Sequence, residues 1–148
     1  MTAKTDAWEN ALLLLLFNNT NAANIGDATG LRGSSTAGAL FFSLHTADPG
    51  ETGNQSTSEV AYTSYARVSV NRASGAGGFT VTANSVSPTT QPTNFPVCTG
   101  GTATATHFGI GTAASGAGVL LYRGALSAPI AISSGVTPQA STATATED

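Results

Sequence analysis

The strongest apolar pattern in the chain lies near its start, where residues 11–17 are uninterrupted by a polar side chain. Residues 5–18 read as the one helix. Asp6 stands at its N-cap with Glu9 three residues on, a capping-box-like pair, and both acids suit the positive end of the helix dipole. Asn18 and Asn19 close it, because Asn tolerates a left-handed C-cap. Leucines at 12 through 16 make the helix apolar nearly all round, so more than one face needs cover. The expected division turns Trp8, Leu12, Leu15 and Leu16 toward the domain's own sheet. Leu13, Leu14 and Phe17 then need another neighbour, either a partner chain or the chain's own long loops, and together with Trp8 they are the candidate protein–protein contacts.

Beyond the helix the period changes. Residues 18–37 are rich in Gly, Asn, Ser and Thr and read as a long polar loop, of the kind that is usually functional when it occurs in a compact domain. Residues 38–46 carry Leu40, Phe41, Phe42 and Leu44 and predict a strand, ended by the turn Ala47-Asp48-Pro49-Gly50. Residues 50–58 form a second polar loop. Residues 60–71 alternate, which predicts one long strand with a register shift near Ser64. A glycine-rich turn at 74–78 precedes a strand holding Phe79, Val81 and Ala83. Pro88, Pro92 and Pro96 restrict 86–97 to an edge strand or extended coil. Residues 104–112 and 119–126 flank the turn at 113–118 as a hairpin, and 129–133 make a further short strand. From Val136 the chain is a Thr/Ala alternation with almost no apolar face, either an edge strand or a tail that orders on a neighbour.

About eight short strands and one helix define the expected fold: all-β, a two-sheet β-sandwich of jelly-roll or Greek-key type with one N-terminal helix. The 148 residues suit a single domain. Within it, 5–18 is the helix, 18–37 the polar loop, 38–135 the sandwich and 136–148 a polar C-terminal strand or arm.

Composition narrows the function. Only 9% of residues are charged, and the net charge is -3. Lys4 is the sole lysine, and Arg32, Arg67, Arg72 and Arg123 are scattered, so no basic cluster exists to grip a phosphate backbone. No nucleic-acid partner is expected. The run at 11–17 is far shorter than the ~20 residues that span a bilayer. Asp6 and Glu9 occupy the place where a signal peptide carries positive charge, so neither membrane anchor nor secretion signal is expected. Cys98 is the only cysteine. It can form no intrachain disulfide and is expected as a small buried apolar residue, which suits assembly in a reducing cytoplasm.

Candidates for catalysis are few. His45 and His107 fall in separate predicted strands, and neither has Cys or carboxylate partners at metal-ligand spacing. Away from the helix start and the C-terminus, only Asp48, Glu51 and Glu59 are acids near one another, all in predicted loop, which is little support for a paired-carboxylate glycosidase. No Gly-x-Ser-x-Gly elbow is present. Gly109-Ile110-Gly111-Thr112-Ala113-Ala114 loosely matches a dinucleotide fingerprint, but a β-turn and a strand follow where the motif requires a helix. Asn18-Asn19-Thr20 and Asn54-Gln55-Ser56 fit the glycosylation triplet by chance of composition. No catalytic residue, metal, cofactor or small-molecule substrate is expected.

Several pieces in order along the chain resemble a family of small phage virion proteins. They are Asp6-Ala7-Trp8-Glu9-Asn10-Ala11-Leu12, then Leu44-His45-Thr46-Ala47-Asp48-Pro49-Gly50, then Glu59-Val60 with Tyr65-Ala66-Arg67-Val68. Thr106-His107-Phe108-Gly109-Ile110 and Ala113-Ala114-Ser115-Gly116 follow, leading into Leu120-Leu121-Tyr122-Arg123-Gly124-Ala125-Leu126 and Pro129. The resemblance spans roughly 6–137. The polar 18–37 segment and the Thr/Ala tail depart from it. It implies a virion role: such sequences are often labelled tail-fibre or minor tail proteins, and the chain also resembles the jelly-roll cement proteins that decorate the capsids of some short-tailed phages.

The expected function is therefore a non-enzymatic capsid cement or decoration protein on the capsid surface. It would bind the major capsid protein and itself, as a homodimer, and stabilise the shell through many weak contacts. The alternative is a tail or tail-fibre-associated binding module whose loops at 18–37 and 50–58 touch neighbouring proteins. A virion-associated glycan hydrolase is disfavoured by the lack of clustered acids.

Overall fold

A computed structural model describes residues 3–90, 93–140 and 143–147. The expected all-β class with a single N-terminal helix is the fold observed: one helix, then nine strands among the described residues, paired antiparallel in several sheets. These residues gather into two compact units that share the chain in alternation. One takes those of 1–39, 70–90 and 144–148, and the other takes those of 40–69 and 91–143.

The first unit holds helix α1 (Asp6–Asn18) and a three-stranded sheet. Strands β3 (Phe79–Thr82) and β4 (Ser85–Pro88) form a tight hairpin, and β9 (Ala145–Thr146) pairs with the other side of β4. β4 is thus a central strand, not the edge or coil that its prolines suggested. Pro88 escapes the conflict by standing at the last position, opposite Phe79. Of the other two prolines in that stretch, Pro92 lies outside the described residues.

α1 begins after Thr5, whose side chain makes no capping bond, so the Asp6–Glu9 capping box is not formed. Its end is as expected: Asn19 takes the left-handed conformation, with φ 56° and ψ 29°. The helix has no basic residue of its own in the last turn, and Arg72 supplies one from outside. Its guanidinium donates to the carbonyls of Leu16 at 2.6 Å and Leu15 at 2.9 Å. Those carbonyls lack partners within the helix, and a cation there also meets the negative end of the dipole.

The helix faces differ from expectation. Leu13 and Phe17 are completely buried, along with most of Glu9, and the Phe17 ring meets Phe79 edge-on at 4.9 Å. Trp8, Leu12, Leu14, Leu15 and Leu16 are only half-buried. The 9, 13, 17 spacing picks the stripe that faces the β3–β4 hairpin. A run of five leucines has no polar contrast to reveal which stripe that is.

In the second unit β1 (Ala39–His45), β6 (Ala103–Gly111) and β7 (Leu120–Ile132) pair antiparallel in that order. β2 (Val68–Asn71), whose first two residues belong to this unit, lies on the outer side of β1. Phe42 faces Ile110 and Leu44 faces Phe108 across β1 and β6, and all four are buried. A separate short ladder joins β5 (Thr93–Asn94) to β8 (Gln139–Ala140). The predicted hairpin at 104–126 is present. β7 continues past it to Ile132, absorbing the expected strand at 129–133 through a bulge, because the pairing passes from Ala125 to Ile130 while β6 advances from His107 to Ala105.

The predicted strand at 60–71 is a ladder only from Val68. Before that the chain is extended but irregular, and Ser64 sits at φ 79°, at the expected register break. The Thr/Ala tail is not a free arm in its described part. Ala140, Ala143 and Ala145 are buried, while Thr144 and Thr146 are exposed. Residues 141, 142 and 148 of that segment lie outside the described residues. A methyl group is apolar surface enough when a two-residue strand must tuck closely against a neighbour.

Candidate functional site

In the second unit the structure draws together residues far apart in sequence around one buried ion pair. Arg67 and Glu59 meet as two parallel bonds, Nε to Oε1 and Nη2 to Oε2, both 2.7 Å. Their side chains are 2% and 16% exposed. Arg67 also donates to the carbonyls of Ala113 at 2.9 Å and Gly116 at 2.7 Å, pinning the β6–β7 turn. The Tyr65 hydroxyl donates to Glu59 Oε1 at 2.8 Å and accepts from the Leu44 amide at 3.1 Å. Glu59 raises the pKa of Arg67, and burial raises that of Tyr65. The arrangement satisfies two charges that burial would otherwise penalise. It is a clamp between the 59–67 segment and the turn; the sequence placed Glu59 and Arg67 among the motif pieces but did not show that they pair.

His45 and His107 are direct cross-strand neighbours, which separate strand predictions could not reveal. His45 is fully buried. Its Nδ1 donates to the Thr57 carbonyl at 2.8 Å, since a carbonyl can only accept, and its Nε2 then accepts from Ser43 Oγ at 2.8 Å. Burial lowers the His45 pKa, opposed by the Thr57 carbonyl and Glu59. A serine on a histidine nitrogen is the geometry of an activated nucleophile. Here both residues have no exposed surface, and an added Cβ on Gly109 would lie 2.8 Å from each of their bonded atoms. As the fold stands, no substrate reaches this pair. Among the described residues, no three His, Cys, Asp or Glu side chains gather to hold a metal ion.

The 50–58 loop is also tied down. Gln55 is fully buried; it accepts from the Ala113 amide at 2.9 Å and donates to the Phe41 carbonyl at 3.3 Å. Beside this loop Arg123 bonds both carboxylate oxygens of Asp48, at 2.6 and 2.7 Å, and reaches Glu51. Gly50, Glu51, Gly53 and residues 120–123 line an open cavity of about 430 Å³. A smaller one of about 150 Å³ lies over Glu59, Tyr65, Arg67 and the turn at 114–116. Cys98 is buried, as expected, with its Sγ 3.3 Å from the Gly100 carbonyl.

The first unit carries the more exposed feature. Residues 19–34 are not a loose loop but a closed finger. Ala22 and Leu31 exchange both backbone bonds at 2.9 Å. Asn19 grips Ser34 twice, donating to its carbonyl at 2.8 Å and accepting from its amide at 2.7 Å. Asn21 accepts from the Gly33 amide at 3.0 Å. At the tip Asp27 accepts from the amides of Thr29 and Gly30, which lowers its pKa. Gly30 and Gly33 are required, because a Cβ there would fall 2.0 Å from the Ala22 carbonyl and 2.4 Å from that of Asn19. Residues 23–29 are all exposed, and the finger holds out two large apolar side chains, Ile25 at 40% and Leu31 at 43% exposure. Asn and Gly in the sequence signalled a loop; the reciprocal pairing that makes it rigid has no local signature.

Of the expected contact residues, then, Leu13 and Phe17 are core, and Trp8 and Leu14 keep part of their surface. In the larger unit the motif pieces converge: Glu59, Tyr65 and Arg67 meet the 113–116 turn, and Asp48 meets Arg123. A family model described as Podophage GP4 fiber I protein gp80 matches residues 3–146. The chain belongs to this family. It is a phage structural protein, as the motif pieces implied. The match spans both the helix and the C-terminal strand, so the finger and the Thr/Ala tail both fall within the family's extent. Among curated proteins none matches the chain. No helix among the described residues is long and apolar enough to cross a membrane.

Proposed function

We propose that this chain is a fibre-associated structural module of a short-tailed phage, acting in the virion by binding other proteins rather than by catalysis. The observation that carries the reading is the match to a fibre-protein family over residues 3–146. That description favours the second of the two virion roles weighed from the sequence over the capsid-cement role. The geometry agrees with a binding module. Arg67, Glu59, Gln55 and His45, in the second unit, are engaged in holding turns and strands, and the exposed finger is closed by its own hydrogen bonds. A module of this kind needs a rigid frame that presents contact residues, and the Arg67–Glu59 clamp and the Gln55 plug supply that frame.

Copy number in purified virions tests the role. A fibre or tail location predicts a few to a few tens of copies per particle by quantitative mass spectrometry, and antibody label at the tail end of the particle. Hundreds of copies with label over the whole shell would return the protein to the cement role. Absence from the particle would end both readings.

A further inference from the structure

We infer that the finger at residues 19–34 is the docking element of this chain, and that its partner is a different virion protein presenting an apolar pocket with a carboxylate at its rim. The inference rests on the virion-binding reading above and names the surface and partner chemistry for it.

Three observations carry it. The finger is ordered before it binds: six backbone or side-chain bonds close its base, namely the Ala22–Leu31 pair, the Asn19–Ser34 pair, Asn21 to Gly33 and Arg72 to Ser34. A preformed element avoids much of the ordering cost of association. Ile25 and Leu31 are two of only four large apolar residues exposed among the described residues. Water-exposed apolar anchors on a rigid projection suit insertion into a pocket. Arg32, next to Leu31, is exposed and makes no hydrogen bond or ion pair among the described residues. Arg67, Arg72 and Arg123 all do. A free guanidinium beside the anchors selects a carboxylate on the partner.

The two cavities described above are poor receptacles for the anchors, which argues against a second copy as the partner. Glu51 and Arg123 line one, Glu59 and Arg67 the other, and an Ile or Leu seated there would strip water from charged groups. The finger fits a concave surface that another protein contributes.

The test supplies variant chains in trans during infection by a phage lacking the gene, and counts copies of the chain per purified virion. Ile25→Asp/Leu31→Asp is expected to cut incorporation at least tenfold, and Arg32→Glu severalfold. Arg32→Glu, at an exposed position, should leave the thermal midpoint of the purified chain unchanged, and Ile25→Asp/Leu31→Asp, at partly exposed positions, should lower it by no more than a few degrees. Gly33→Ala, which keeps the anchors but opens the base, is expected to reduce incorporation as well. If the Asp/Asp variant enters virions at the wild-type level, the inference is overturned while the virion role stands. If the wild-type chain itself is not incorporated, the underlying reading fails. If the purified wild-type chain self-associates in sedimentation and the Asp/Asp variant does not, the partner is a second copy and the heterologous assignment is wrong.

Discussion

Replacing Arg67 with Met asks how much of the larger unit's stability depends on the clamp. The side chain is 2% exposed and donates to Glu59 twice and to the carbonyls of Ala113 and Gly116. Met keeps most of the aliphatic bulk, so the loss is mainly electrostatic. Removing one member of a buried ion pair costs about 3–5 kcal/mol, because the other charge is left without compensation. Glu59 is 16% exposed and regains some water, which places the expected cost near the lower bound, about 3 kcal/mol. At about 2–4 °C per kcal/mol for a chain of this size, the melting midpoint should fall by roughly 6–12 °C. The chain provides separate reporters. Its three tyrosines, Tyr62, Tyr65 and Tyr122, all belong to the second unit, and its one tryptophan, Trp8, to the first. Urea unfolding followed by near-ultraviolet circular dichroism of the tyrosines measures the cost. A second substitution, Glu59→Gln, removes the stranded charge, so the double variant should be about 2 kcal/mol more stable than the two single losses added together. Amide exchange at residues 113–118 should also quicken in Arg67→Met, since the turn loses its two carbonyl anchors. A cost below about 1 kcal/mol, or strict additivity with Glu59→Gln, would refute the view that this pair is a coupled clamp.

Other outcomes follow from the same geometry. Burial lowers the His45 pKa from its ordinary 6.5. The unfolded chain therefore takes up the proton first, and the stability due to neutral His45 is full above about pH 6.5 and lost as pH falls below it. Urea midpoints compared at about pH 7.5 and about pH 5.5 should drop more for the wild type than for His45→Gln. Gly109→Ala places a methyl group 2.6 Å from Leu120 Cδ1 and 2.8 Å from His45 Nε2 and Ser43 Oγ, and should destabilise by roughly 1–3 kcal/mol in the tyrosine signal. On the helix, Leu13→Ala should cost about 2–5 kcal/mol and Phe17→Ala about 3–5. Half-buried Leu14→Ala should cost only about 1 kcal/mol, all three read by Trp8 fluorescence on unfolding. Equal costs at Leu13 and Leu14 would contradict the observed stripe.

Where a feature depends on neighbours in sequence, it was legible. The helix and its Asn19 C-cap, the strand at 39–45, the hairpin around 113–118, the break at Ser64 and the buried Cys98 all follow from local rules. Periodicity, left-handed tolerance and small apolar volume act over a few residues. The motif pieces likewise carried the virion class, because their order along the chain is a one-dimensional property.

Partnership across the chain was not legible. Nothing local told which leucine stripe meets Phe79, that Arg72 would cap a helix more than fifty residues earlier, or that alanines would make the buried face of the last strand. Arg67 reads as polar in any window, yet it lies inside because Glu59 and two turn carbonyls meet it there. A buried charge is tolerated only where its counter-charge and acceptors converge, and convergence is decided by the tertiary fold. The 19–34 segment shows the same division. Its Asn, Gly and Ser content dictated a loop, whereas its rigidity comes from reciprocal bonds between residues 9 to 15 apart, which exist only once the two sides of the finger have come together.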